Sequence, residues 1–196
     1  MASPILAGHI NTLADARYLN ALETQVWLGF NMDVLQPNYL APEECRNICQ
    51  WLYQPNIIAA FGMHQGQEEI LFLSECIGAR AIQLPDGHPL SESELPIFTF
   101  IYHWMPDLNA ISNIKHYSGR GTIIDYNPQK LDPGEIYNHQ RADIILSLLG
   151  REATFLRLPN MQYPVTSPLL QPYGWYIPVT GNGLPDDYSD LIDSIL

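Results

Sequence analysis

Basic residues are scarce in this chain. Against 21 aspartates and glutamates it carries only 9 lysines and arginines, a formal net charge of −12. A nucleic acid needs a basic surface to replace its counterions, so nucleic-acid binding is excluded as a function class. Cysteine is scarce too, because Cys45, Cys49 and Cys76 are too few and too unevenly spaced for a disulfide framework. Cys45 and Cys49 stand one helical turn apart beside Ile48 and Leu52, which reads as a buried helix face. No second ligand pair follows them, and no HxH or HExxH spacing occurs, so neither a metal nor a cofactor is expected. Long apolar runs are missing: no stretch approaches the ~20 residues of a membrane span, and no basic segment precedes an apolar run at the N-terminus. No membrane partner is expected, and the cytoplasm is the default compartment.

What is present is an alternation. With 46% hydrophobic and 15% charged residues, the 196-residue chain suits one globular domain over 1–196. Apolar runs at 4–10, 25–30, 56–63, 79–85, 96–104, 121–127, 153–160 and 174–179 read as buried parallel strands. Helical patterns lie between them. One begins near Leu13, and one at Pro42 keeps Cys45, Ile48, Cys49 and Leu52 on one face. Others run over 67–78 and 137–150, each closing on a glycine, and over 186–196. Residues 105–120 hold a short helix at most, and 161–173 carry three prolines that degrade one. The expected fold is α/β: a compact (β/α)8 TIM barrel with one or two degraded or missing helices. An open doubly wound sheet is the other candidate, but no glycine-rich dinucleotide fingerprint supports it.

The order of short motifs then resembles a family. "ILAGHINTLADARYL" is similar to the opening of the phosphoribosylanthranilate isomerases, which runs lysine, apolar residue, cysteine, glycine, then a threonine turn and an acidic-Asp-Ala helix start. "LGF" at 28–30, "NYLAPEECRNI", "QEEILFLSECIGARAIQLPDG", "GTIIDY" and "GWYIPVTGNG" resemble successive later segments, so the likeness runs nearly end to end. The resemblance implies the barrel and an Amadori rearrangement of an aminoaldose to an aminoketose. In that chemistry a cysteine thiolate is the base and an aspartic acid protonates the ring oxygen.

The residues that would do this are mostly replaced. Aligned at Gly8, the base falls on Ala7, and the preceding lysine is gone. Asn38 stands where the family has arginine, and Pro85-Asp86 where it has His-Gly. Leu158-Pro159 replace a Gly-Gly that cradles phosphate, and proline removes a donor. Asp125 and the Thr180-Gly181 turn remain. The expected function is therefore an isomerase-like barrel without the standard activity, a pseudoenzyme binding a small polar or anionic ligand at the C-terminal face.

His9 and Asp125 are the candidate catalytic pair. If side chains alternate through the strand end, His9 points the same way as Ala7, one layer nearer the mouth. An active isomerase using this pair on phosphoribosylanthranilate or a related sugar is the second reading. The alternative for His9 is a strand-end histidine satisfied by a structural partner. Thr180, Gly181, Arg157 and His103 are the candidate ligand-binding residues, Arg157 because a guanidinium holds an anion in a two-pronged contact. The third reading is a non-enzymatic structural or interaction protein, and a homodimer is compatible with all three.

Overall fold

The computed structural model describes residues 4–85, 87–90, 98–103, 121–125, 154–157, 174–179 and 192. All eight expected strands are there: β1 (Ile5–Gly8), β2 (Val26–Asn31), β3 (Asn56–Ala60), β4 (Ala81–Pro85), β5 (Phe98–His103), β6 (Gly121–Asp125), β7 (Thr154–Arg157) and β8 (Gly174–Pro178). Each pairs in parallel with its neighbours in chain order, and β8 pairs back onto β1, closing the barrel. The open doubly wound sheet is thereby set aside.

Three helices alternate with the first strands: α1 (Leu13–Asn20), α2 (Pro42–Cys49) and α3 (Gln67–Ile77). Thr12 caps α1 by accepting the Asp15 N–H at 3.1 Å, and its hydroxyl donates to the Asp15 carboxylate, which lets that acid be fully buried. Pro42 starts α2 with Glu43 and Glu44 in its first turn. Gly78 ends α3 with φ +70, the left-handed closure that favours glycine. Ile192 is helical and buried. The helix expected at 137–150 and the rest of that at 186–196 lie outside the described residues, as do all of 105–120 and 161–173.

A parallel barrel buries both faces of its strands, and two apolar layers result. Inside the barrel, Leu6, Ile58, Ala81, Ile123, Phe155 and Tyr176 pack together. Outside it, Ile5, Ala7, Leu28, Phe30, Ile57 and Ile82 pack against Ala16 and Leu19 of α1, Cys45 and Ile48 of α2, and Ile70 of α3. The interior is filled to contact: a Cβ on Gly174 would lie 2.6 Å from Phe155 Cδ1.

This layering overturns one expectation. Ala7 is fully buried on the helix side of β1, and the barrel-side phase belongs to Leu6 and Gly8. Phe30 of β2 is buried in the same helix-side layer. A thiol placed by Ala7→Cys should be sealed between β1 and the helices. Thiol titration with Ellman's reagent is expected to count the wild-type number in the native state and one more only in denaturant.

Candidate functional site

Strand β1 stops at Gly8, and His9 turns the chain with φ +67. That left-handed conformation is unfavourable for a residue with a Cβ, and it breaks the two-residue alternation that would have aligned His9 with Ala7. The ladder resumes at Ile10, whose N–H reaches the Gly29 carbonyl at 2.9 Å. Between these points the imidazole is swung over the mouth. Its Nε2 lies 3.3 Å from the Tyr176 hydroxyl, with the rings edge to face, and its Nδ1 meets the Asn38 side-chain amide.

Tyr176 belongs to the barrel interior and is only 4% exposed. Its hydroxyl lies where a side chain on residue 8 would have to start, since a Cβ on Gly8 would collide with it. Asn38 sits in the turn after β2. Its Oδ1 accepts from Asn31 Nδ2 at 2.6 Å, and Asn31 Oδ1 accepts the Asp33 N–H at 2.9 Å. A continuous polar chain therefore runs Tyr176, His9, Asn38, Asn31, Asp33, across the ends of β8, β1 and β2.

His64 and His88 have partners of their own. His64 Nε2 lies 3.7 Å from the buried carboxylate of Asp33, which also accepts the Leu35 N–H. His88 Nδ1 accepts the Leu90 N–H at 3.3 Å. Of the remaining site candidates, Asp125 ends β6 and Arg157 ends β7, paired with each other in register, and Arg157 pairs in turn with Tyr176. His103 ends β5, in register with Ile124. Thr180 and Gly181 lie outside the described residues.

No family model and no curated protein matches this sequence. Solved structures do. A monomeric form of the dimeric phosphoribosylanthranilate isomerase of Thermotoga maritima is similar over 100% of this chain and 98% of its own, with TM-score 0.74 at 15% identity. The isomerase of Pyrococcus furiosus gives TM-score 0.72 at 13% identity, covering 100% of this chain and 98% of that one. That of Thermus thermophilus gives 0.70 at 20%, covering 89% and 86%. The chain has the phosphoribosylanthranilate isomerase fold.

On this isomerase fold, His103 and Arg157 stand at the C-terminal ends of β5 and β7, the end of the barrel where such folds place their chemistry. Tyr176 escaped the sequence reading, because "GWYIPV" shows no alternation that would mark its third residue as inward. Asn38 was read only as a lost arginine, and its bonds to His9 and Asn31 give it a role of its own.

Among the described residues no group of three or more His, Cys, Asp or Glu side chains is placed to hold a metal ion. No described helix is long and apolar enough to cross a membrane. Cys45 and Cys49 face each other with their sulfurs 4.0 Å apart. The hydrogen shared between them holds the Cys45 thiol well above its ordinary range, with burial adding to the effect, and draws Cys49 below. Because the thiolate is the reactive form, iodoacetamide should modify Cys49 before Cys45 as pH is raised from about 6 to 9, read by peptide mass mapping.

The strain at His9 gives a second test. His9→Ala keeps a Cβ in the left-handed region and loses both hydrogen bonds, whereas His9→Gly loses the bonds but relieves the backbone. Urea melts should show the alanine variant less stable than the glycine variant by about 1 kcal/mol.

Proposed function

We propose that this chain is a single-domain (β/α)8 barrel of the isomerase fold that does not perform the standard Amadori rearrangement and instead holds a small polar or anionic ligand at its C-terminal face. One observation carries the proposal: the inward position at the end of β1 is Gly8, with the Tyr176 hydroxyl packed onto it. A general base must aim a lone pair at the carbon it deprotonates. In the similar isomerases the cysteine precedes a glycine, and matching by sequence alone places it on Ala7. Matching by the pleat moves the frame by one residue. The cysteine then falls on Gly8, the lysine on Leu6 and the glycine on His9, which has the glycine-type φ. Neither frame supplies a thiol.

His9 does not act as a replacement base in this reading. Its two ring nitrogens face Asn38 and Tyr176, so it serves to hold the mouth together. The ligand then meets Tyr176 on one side, with Asp125, Arg157 and the Thr180-Gly181 turn assigned to the other. A cytoplasmic setting and a homodimer, as in the dimeric Thermotoga maritima protein, belong to the same proposal.

Purified protein is expected to leave phosphoribosylanthranilate unconverted beyond the spontaneous rate and to fail to rescue a tryptophan auxotroph lacking the isomerase. Ala7→Cys should not restore turnover, since its thiol faces the helices. Conversion at ordinary enzymatic rates, or rescue by the wild-type chain, would overturn the proposal.

A further inference from the structure

The polar chain at the mouth has a direction. It is fixed at one end by a group that cannot change role, the Asp33 main-chain N–H, which donates to Asn31 Oδ1. Asn31 must then present its NH2 to Asn38, whose Oδ1 accepts at 2.6 Å. That leaves the Asn38 NH2 facing His9 Nδ1, so Nδ1 must be the acceptor. A ring whose Nδ1 is unprotonated carries its proton on Nε2, and that N–H is the one directed at the Tyr176 oxygen. Each member fixes the next. Placing a proton on Nδ1 would oppose two donors, and relieving the clash by turning both amides would leave the Asp33 N–H facing an NH2 group.

From this chain we propose that His9 is held as the neutral Nε2–H tautomer and sets Tyr176 as a hydrogen-bond donor at the floor of the mouth. Any group that meets the phenolic proton, from the protein or from a ligand, must then be an acceptor. The ligand class narrows to a small molecule presenting an acceptor oxygen towards β8, and a carboxylate or phosphate oxygen, as the stronger acceptor, is the one proposed. His9, Asn38 and Asn31 are positioning residues, and Tyr176 is the one that touches ligand. The ligand part rests on the function proposed above; the tautomer does not.

Long-range nitrogen–proton correlation spectra of the 15N-labelled full chain at pH 7.5 read the tautomer directly, with His9 assigned by the loss of its signals in His9→Gln. The wild-type ring is expected to show Nε2–H with Nδ1 unprotonated. Asn38→Asp removes the donor facing Nδ1 and offers an acceptor, so His9 should move to the Nδ1–H or doubly protonated form. Tyr176→Phe should keep the wild-type tautomer, which separates the relay from any general loss of structure. An Nδ1–H or doubly protonated ring in the wild type, or no change in a folded Asn38→Asp protein, overturns the relay.

For the ligand part the probe is ribose 5-phosphate, titrated calorimetrically. Wild type should bind, and Tyr176→Phe should bind about tenfold or more weakly, the loss of one hydrogen bond to a charged oxygen. Equal binding by the two overturns the donor role of Tyr176. Absence of binding to the wild type overturns the ligand assignment here and above, while the spectra decide the relay independently.

Discussion

The mouth of this barrel depends on a phenol lying against bare backbone. Tyr176 reaches across the interior until its hydroxyl occupies the space that a residue-8 side chain would need, so position 8 has to be glycine. A hydroxyl carried that deep must be hydrogen-bonded or cost a few kcal/mol. His9 provides the partner, and it does so from a left-handed backbone that a histidine adopts only under constraint. Asn38 and Asn31 supply that constraint from the turn after β2. The four side chains form one arrangement in which no member is independent of the others.

The barrel itself was legible in the sequence because strands buried on both faces leave continuous apolar runs, and all eight runs became strands. Their ends were less so: the run expected at 4–10 yields a strand of Ile5–Gly8, since nothing in "GHI" announces that His9 leaves the ladder. The same double burial hid the phase of β1. Ile5, Leu6 and Ala7 are all fully buried, one set by helices and the other by the barrel interior, so hydrophobicity cannot say which faces inward. Matching motifs at Gly8 selected Ala7, and only the packing of Tyr176 corrects it. Asp125 was singled out by the family motif and Arg157 as a cation within its run, and the register sets the two residues side by side, with Tyr176 next in line.

Set beside the isomerase motifs, the differences at Pro85-Asp86 and Leu158-Pro159 stand apart, but three others cluster. Those at Gly8, His9 and Asn38 fall within one connected network on the β8–β1–β2 side of the mouth. A thiol and a guanidinium are useful only if charged and accessible. An amide, a neutral imidazole and a phenol work as fixed donors and acceptors, and they tolerate burial when paired. In the function proposed above, the exchange turns a place for moving protons into a place for holding an oxygen.

The His9–Tyr176 hydrogen bond joins residues 167 apart across the seam where β8 meets β1. A chain made from its N-terminus onward can assemble β1, α1, β2 and the Asn31–Asn38 turn early, because those contacts are local. The Nε2 side of the imidazole, however, meets the Tyr176 phenol only once strand eight has emerged and docked. The network at the mouth is thus a record of completed folding: it comes into existence with the last strand, after the scaffold that carries most of its residues is already built.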